Sequence, residues 1–361
     1  MAEQKRPKLL VMAGGTGGHV FPGLAVADHL CQQGWQISWL GTAERMEAQL
    51  VPKHGYAIDF ISIKGVRGNG LLRKLAAPFK LLNAIRQALL LMLRLQPDVV
   101  LGMGGFASGP GGIAAWLMRK PLVLHEQNAA AGLTNRMLAK IATKTLIAFP
   151  GALAKGKVVG NPVRPAVLAL PEKSLSESRD YNLLVIGGSL GAQVFNQHLA
   201  AGIKASGLDL RICHQAGKNK LASAEQAYQD AKLEEHLSQA PKIVEFIDDM
   251  AAAYQWADVI LCRAGALTVS EVAAAGLAAI FVPLPYAVDD HQTKNAQYLV
   301  DAEAAQLLAQ SDFSSQRIAT ILNEFADPGL RHRYGCNARK QAAVDATEKV
   351  AAVCQDLMKS S

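Results

Sequence analysis

Hydrophobic positions along the chain fall in short runs separated by turn residues, and the runs alternate between two spacings. Residues 8–13 form an apolar run, Gly14-Gly-Thr-Gly-Gly-His19 follows, and 22–34 carries apolar residues at helical spacing (Leu24, Ala27, Leu30, Cys31). The pattern predicts a strand, a glycine loop and a helix in that order. Residues 37–40 read as a second strand, 43–53 as a second helix, and 98–103 as a later strand running into Gly104-Gly105-Phe106-Ala107-Ser108-Gly109. A further strand over 122–124 delivers His125-Glu-Gln-Asn128 at its carboxyl end. Strands alternating with helices predict an α/β, doubly wound parallel sheet whose ligands bind beyond the carboxyl ends of the strands.

The pattern restarts at Gly187, 173 residues after Gly14. Residues 182–186 are apolar, Gly187-Gly-Ser-Leu-Gly-Ala192 forms a second glycine loop, and 193–201 is expected to be helical. Residues 211–214, 243–246, 259–262 and 279–282 are later strand candidates. Between the two systems lies Gly160-Asn-Pro-Val-Arg-Pro165, whose turn residues suit a hinge. The expected organisation is a first domain over 1–163 and a second over 164–340. A last helix near 338–358 is expected, with 341–361 packing back on the first domain. Two Rossmann-like domains facing a cleft would hold two substrates.

Composition narrows the function classes. Of 361 residues, 50% are hydrophobic and 19% charged, which supports packed cores and excludes disorder. The net charge of +7 averages an asymmetry: residues 1–165 hold 20 Lys and Arg against 7 Asp and Glu, a net +13, and the rest hold 17 against 23, a net −6. A cationic first half points to a polyanionic partner, either nucleic acid or an anionic membrane surface. Five scattered cysteines show no CxxC spacing, so neither a disulfide framework nor a zinc ribbon is expected, and a reducing cytosol fits. No signal-peptide pattern follows the N-terminus. The longest uncharged run, 99–118, holds six glycines and Pro110, which is unsuited to a transmembrane helix.

Neither glycine loop matches a dinucleotide fingerprint or a P-loop. What remains is that glycines let backbone approach a phosphate and that a helix N-terminus stabilises negative charge. His19 closes the first loop and is a candidate base near neutral pH; His125 and Glu126 form a rival acid–base pair. No metal-ligand spacing joins these three residues. Thr268-Val-Ser-Glu271 has two readings: a capping box opening a helix, or a carboxylate that accepts bonds from ribose hydroxyls. The polar run Asp289-Asp-His-Gln-Thr-Lys-Asn295 reads as a solvated helix start or as a set of sugar-hydroxyl partners. Leu75, Phe79, Leu82, Ile85 and Leu89 fall on one face of a helix expected from Pro78, preceded by Leu71 and Leu72, with Arg73, Lys74, Lys80 and Arg86 beside them and Trp116 joining. Periodicity alone fits a core helix; the adjacent cations favour a membrane-facing patch.

The ordered set of Gly14-Gly-Thr-Gly-Gly-His19, Gly102-Met-Gly-Gly-Phe-Ala-Ser-Gly-Pro110, His125-Glu-Gln-Asn128, Gly160-Asn-Pro-Val-Arg164, Gly187-Gly-Ser-Leu-Gly-Ala192, Glu245-Phe-Ile-Asp-Asp-Met250, Arg263-Ala-Gly-Ala-Leu-Thr-Val-Ser-Glu271 and His291-Gln-Thr-Lys-Asn295 spans about residues 8–300. It resembles the family 28 glycosyltransferases of the GT-B fold, in particular those that move N-acetylglucosamine (GlcNAc) from UDP-GlcNAc to lipid I, undecaprenyl-pyrophosphoryl-MurNAc-pentapeptide.

The resemblance implies donor binding chiefly by the second domain. Phe246 and Ile247 would flank the uracil with Met250 nearby, and Glu271 would hold the ribose. Ser189, Arg164, Ala266, Leu267 and Thr268 would meet the diphosphate, while Gln292 and Asn295 would take the GlcNAc hydroxyls. From the first domain, Thr16, Gly17, Gly18 and Asn128 would also reach the donor. Lipid I would use the loops at Gly14, Gly15, Gly104, Gly105 and Ser108. Ala264 departs from relatives that carry serine there. The resemblance further implies a metal-independent inverting transfer to the MurNAc 4-hydroxyl, giving lipid II for peptidoglycan synthesis, with no cofactor. It implies a peripheral protein on the cytoplasmic face of the inner membrane, in contact with anionic phospholipid and with cell-wall synthesis and division proteins.

The alternative within the fold is a UDP-GlcNAc 2-epimerase-like enzyme without a lipid acceptor. A nicotinamide oxidoreductase is disfavoured by both loop spacings, and a nucleic-acid module by the lack of an RNP motif, zinc finger or arginine-rich run.

Overall fold

The computed structural model describes residues 6–63, 71–175, 178–188, 191–285 and 288–359. The chain divides into two compact units: Met1–Arg164 together with Ala343–Ser361, and Pro165–Ala342.

The first unit carries strands β1 (Lys8–Ala13), β2 (Gln36–Gly41), β3 (Ala57–Phe60), β4 (Val99–Gly104), β5 (Leu122–Glu126), β6 (Lys144–Ile147) and β7 (Lys157–Val158). They form one sheet in the order β3-β2-β1-β4-β5-β6-β7, and every pairing is parallel. Its helices are α1 (Gly17–Gln32), α2 (Glu47–Lys53), α3 (Leu71–Leu95), α4 (Ser108–Leu117) and α5 (Leu133–Leu138). The second unit carries α6 (Pro165–Leu168), β8 (Asn182–Ile186), α7 (Gln193–Ser206), β9 (Arg211–Gln215), α8 (Leu221–Asp230), β10 (Lys242–Val244), α9 (Met250–Trp256), β11 (Val259–Cys262), α10 (Ala266–Ala275), β12 (Ala278–Phe281), α11 (His291–Val300), β13 (Ala305–Leu307), α12 (Ser315–Glu324) and α13 (Pro328–Lys340). Its parallel sheet runs β10-β9-β8-β11-β12-β13. The chain then returns to the first unit as α14 (Ala346–Lys359).

Central strands are apolar throughout because helices cover both faces. Leu9, Val11 and Leu101 of the first sheet join Val20, Leu24 and Ala27 of α1 and Val350, Ala351 and Cys354 of α14 in one core. Leu10, Met12 and Val100 face the other way, onto Ala84, Ala88 and Met92 of α3. In the second unit Leu183, Val185, Val259 and Leu261 pack with Phe195, Leu199 and Ile203 of α7 and with Ile318, Ile321 and Leu322 of α12.

Several expected boundaries move. Helix α1 starts at Gly17 and takes Pro22 inside it, where proline removes one ladder donor of an early turn. Helix α3 likewise begins at Leu71 and contains Pro78. The expected last helix is two helices, α13 and α14, parted at residues 341–345. Strand β5 continues through His125 and Glu126, which pair with Leu146 and Ile147 of β6.

In both sheets the strand order reverses beside the first strand of the unit, between β1 and β4 and between β8 and β11. Such switch points open a crevice at the strands' carboxyl ends. The glycine loops of the sequence lie there.

Candidate functional sites at the two switch points

In the first unit, the loops after β1 and β4 interlock. Gly105 has φ +92° and lies so close to the Gly14 backbone that any Cβ would overlap it. Gly104, at φ +99°, leaves the space that the His19 imidazole fills; a Cβ there would stand 3.1 Å from ring atom Nε2. His19 sits in the first turn of α1, with Nδ1 3.0 Å from the Gly14 carbonyl. A carbonyl only accepts, so Nδ1 carries a proton, and in the neutral ring Nε2 then carries the lone pair. The α1 N-terminus is open to an anion: Thr16 is the N-cap residue without a side-chain cap bond, and no acid occupies the first turn. Gly17 and Gly18 are its first residues. Arg164 belongs to this unit, and its guanidinium stacks on Phe21 of α1 at 5.3 Å from the ring centre.

His125 and Glu126 do not form the rival acid–base pair expected of them. His125 is fully buried because β5 runs on past it. Its Nε2 donates to the Gly160 carbonyl at 2.9 Å, and its Nδ1 accepts from Gln127 at 3.2 Å. Burial pushes its pKa down to about 4. The buried Glu126 carboxylate accepts from the Asn128 amide at 2.9 Å, the Asn128 side chain at 3.1 Å and the Asn135 side chain at 2.8 Å. The hydrogen bonds of the pair are spent inside the unit, where they shape the loop that carries Asn128. Ser108 is a second correction: it is fully buried, and its hydroxyl donates to the Met12 and Gly104 carbonyls at 2.9 and 2.7 Å. It fastens β1 to β4 beneath the loops.

The pKa of His125 has a consequence for stability. Its folded value lies below the ordinary 6.5, so the unfolded chain takes the proton first and stability is lost as pH falls from about 6.5 towards about 4. From pH 7 to pH 5 the loss is about 2 kcal/mol. His214, buried in the second unit and also lowered to about 4, acts in the same direction. Urea unfolding at the two pH values checks this, and His125→Gln is expected to flatten the slope.

In the second unit, α10 follows β11 at the switch point. Its N-cap is Gly265, no side chain caps it, and its first turn holds no acid. Helix α7, after the second glycine loop, is likewise uncapped. Elsewhere in the unit Asp249, Ser314 and Asp327 cap α9, α12 and α13, while α8 and α11 also lack a side-chain cap. The helices at the switch point thus keep amide donors and positive dipole ends for a ligand's negative charge. Ala266, Leu267 and Thr268 form the first turn of α10.

This register overturns the capping-box reading of Thr268-Val-Ser-Glu271. Thr268 is already helical, and Glu271 lies within the helix, 3% exposed. Glu271 Oε2 accepts from the Tyr254 hydroxyl at 2.9 Å. Tyr254 lies in α9, which Met250 begins, so one hydrogen bond ties Glu271 to the helix on which Met250 stands. Phe246 is more than half exposed in the segment before α9, with Ile247 beside it. Asn295 is buried and donates from Nδ2 to the Ala264 carbonyl at 3.1 Å, which ties α11 to the β11–α10 loop. Gln292 Oε1 accepts from the Leu284 amide at 2.9 Å. Ser189 lies outside the described residues.

Three residues of these sites escaped the sequence reading. Tyr254 was hidden as one aromatic in an apolar helix. Arg263 donates from Nη1 to the Val282 and Pro283 carbonyls, both at 3.0 Å, and from Nη2 to Gln310 at 2.6 Å, bracing the strand ends. Its partial burial lowers its pKa. Glu47, fully buried behind the first glycine loop, accepts from the Gly15 amide at 2.9 Å.

A cavity of about 470 Å³ opens elsewhere in the second unit, lined by Lys173, Asp258, Arg331 and Arg339. Asp258 directly precedes β11, so this is the amino end of the sheet. Its cations donate to carbonyls at the ends of helices: Lys173 to Ala257 at 2.7 Å, Arg331 to Phe325 at 2.6 Å, and Arg339 to Ala274. They offset helix C-terminal dipoles and belong to the scaffold.

On the surface of the first unit, α3 buries Ala84, Ala88 and Met92 and turns Phe79, Leu82, Leu90 and Leu93 outward. Ile85 is half-buried, as is Leu89. The side chains of Lys74 and Leu75 lie outside the described residues. Helix α4 packs on α3 and exposes Trp116 and Leu117. Among the described residues, no helix is long and apolar enough to cross a membrane.

Comparison with known proteins identifies the family. Residues 9–147 match the glycosyltransferase family 28 N-terminal domain, and residues 182–354 match the glycosyltransferase family 28 C-terminal domain. A protein of Aeromonas hydrophila, named UDP-N-acetylglucosamine--N-acetylmuramyl-(pentapeptide) pyrophosphoryl-undecaprenol N-acetylglucosamine transferase, is 56% identical over 356 residues, covering 97% of this chain and 96% of its own. A protein of the same name from Shewanella amazonensis is 56% identical over 367 residues, covering 99% of this chain and all of its own. The crystal structure of Acinetobacter baumannii MurG superimposes with a TM-score of 0.84 at 43% identity, over 97% of this chain and 99% of that one. With two parallel α/β sheets of the GT-B kind and both domain models matched in order, the chain belongs to glycosyltransferase family 28.

Proposed function

We propose that the protein transfers GlcNAc from UDP-GlcNAc to the MurNAc 4-hydroxyl of lipid I, releasing UDP and forming lipid II with a β-1,4 bond and inversion at the anomeric carbon. The observation that carries this reading is 56% identity, across almost the whole of both chains, to the transferase of that name.

The residues supply the chemistry in the following way. UDP-GlcNAc binds the second unit, with the uracil against Phe246, Ile247 and Met250 and the ribose on Glu271. The diphosphate faces the uncapped α10 N-terminus at Ala266, Leu267 and Thr268, and Gln292 and Asn295 meet the sugar hydroxyls. Departure of UDP concentrates negative charge on the β-phosphate, and oriented amides stabilise it without reorganisation. Arg164 adds a cation for that charge. In the first unit, Nε2 of His19 takes the acceptor hydroxyl's proton. The glycine loops at Gly14, Gly15, Gly104 and Gly105 admit the lipid I diphosphate; Thr16, Gly17 and Gly18, at the α1 N-terminus beside them, are the first-unit residues assigned to the donor. Glu126 fixes Asn128, the residue that the family resemblance assigns to the donor sugar. Radiolabel transfer from UDP-GlcNAc to a lipid I analogue in the presence of EDTA tests the reading; folded protein that yields no labelled lipid II overturns it.

Lipid I resides in a membrane, and the reading includes peripheral docking on the anionic cytoplasmic leaflet. Supporting it, Phe79 (74% exposed), Leu82 and Trp116 project from α3 and α4, and Lys80 and Arg86 are exposed on the same helix as Phe79. Apolar side chains flanked by cations are the composition of an interfacial surface, each cation contributing about 1 kcal/mol on anionic lipid. Phe79→Glu with Lys80→Glu is expected to reduce sedimentation with vesicles containing phosphatidylglycerol by at least roughly tenfold, with turnover on a water-soluble acceptor analogue retained. Unchanged vesicle binding removes this patch from the docking surface.

A further inference from the structure

Glu47 has no place in the chemistry so far, yet it stands directly behind the loop that carries His19. It begins α2 and is fully buried. Oε1 accepts from the Thr42 amide at 3.1 Å and the Thr42 hydroxyl at 2.7 Å, and Oε2 accepts from the Gly15 amide at 2.9 Å. The side chain enters through space left by two glycines: a Cβ on Gly41 would stand 2.8 Å from its Cγ, and one on Gly14 would overlap its carboxylate. A carboxylate withdrawn from water is costly unless its oxygens find donors. Here three donors meet it, one of them from the glycine loop.

A single peptide group joins this carboxylate to His19. The peptide between Gly14 and Gly15 gives its N–H to Glu47 Oε2 and receives, on its carbonyl, the Nδ1–H of His19 at 3.0 Å. A carboxylate on the N–H edge draws electron density towards the carbonyl, and hydrogen bonds in series polarise one another. The carbonyl becomes a stronger acceptor, and the ring is biased to keep its proton on Nδ1.

We propose that Glu47 is a positioning residue of the transfer reaction, acting through the Gly14–Gly15 peptide to hold His19 in the Nδ1–H tautomer with Nε2 as the proton acceptor. A carboxylate bonded directly to histidine does this in hydrolase triads; here a peptide group is interposed. The inference rests on His19 being the base. As the acceptor oxygen forms its bond to the anomeric carbon, UDP leaves with the electron pair of the broken C–O bond. The hydroxyl proton passes to Nε2, and the resulting imidazolium keeps its Nδ1–H bond to Gly14. Glu47 neither gives nor takes a proton; its charge stabilises the cation through the peptide.

Nitrogen-15 NMR of histidine-labelled protein reads the tautomer, because protonated and lone-pair ring nitrogens resonate apart. Native protein is expected to show His19 protonated on Nδ1, and an Nε2-protonated ring there overturns the proposal without any variant. In Glu47→Gln the population is expected to move towards Nε2–H. Its kcat is expected to fall about 10- to 100-fold, the range seen when the carboxylate partner of a ligating histidine is lost, with KM for UDP-GlcNAc within about twofold. Thr42→Ala disturbs the same buried carboxylate but spares its bond to Gly15, and is expected to keep the native tautomer. A folded Glu47→Gln protein with unchanged tautomer and turnover overturns the proposal, as does equal loss of the tautomer in Thr42→Ala. If His19 were not the base, His19→Ala would retain turnover while the tautomer still followed Glu47, so the two failures are distinct.

Discussion

His19→Ala is expected to lower kcat by roughly 10²- to 10⁴-fold, the contribution of a positioned general base, while KM for UDP-GlcNAc changes only a few fold. The expectation follows from where the ring sits. Its Nδ1 is committed to the Gly14 carbonyl and its edge fills the space that Gly104 leaves, so the acceptor nitrogen has one defined position at the mouth of the acceptor loops. His125 cannot replace it, being fully buried with both ring nitrogens engaged. Steady-state kinetics with varied donor and saturating acceptor analogue separate the two parameters. Near-native kcat would remove His19 from the chemistry.

Glu271→Ala is expected to cost roughly 10²- to 10⁴-fold in kcat/KM, most of it in the affinity for donor. Hydrogen bonds to a charged group contribute about 1.5–3 kcal/mol each, and a carboxylate shared by two ribose hydroxyls makes two. The variant also removes the carboxylate that accepts from the buried Tyr254 hydroxyl. Tyr254→Phe removes the hydroxyl while leaving the Glu271 carboxylate in place and is expected to cost about tenfold or less, so the pair divides direct contact from support. Calorimetry with UDP alone checks it: equal affinity in native and Glu271→Ala protein would place the ribose elsewhere.

Much of the architecture was legible because fully covered parallel strands are apolar at every position, as Leu9 to Met12 and Leu183 to Ile186 are. The glycine loops announced the switch points for a related reason, since only glycine fits where Gly105 meets Gly14. Misreadings arose where one local rule was trusted against its neighbours. Pro22 and Pro78 looked like helix starts and are helix interiors. Thr268-Val-Ser-Glu271 has capping-box spacing, but Gly265 starts the helix earlier and frees Glu271 for Tyr254. His125 looked exposed because the apolar run stops at Leu124, although the strand pairing continues through Glu126. Glu47 was invisible: in a polar stretch between a strand and a helix, nothing marks a carboxylate as buried except the tertiary contact itself.

The return of α14 to the first unit also sets an order of events during synthesis. Residues 165–342 are a continuous insertion and can complete their core as soon as they emerge. The first unit must wait, because Val350, Ala351 and Cys354 fill a core that also contains Leu9 and Leu24. Until α14 leaves the ribosome, the core between α1 and the first sheet lacks the apolar side chains that complete it. The nascent first unit is thus the part of the chain most exposed to aggregation, and a stop codon anywhere before α14 removes its last cover rather than trimming a tail.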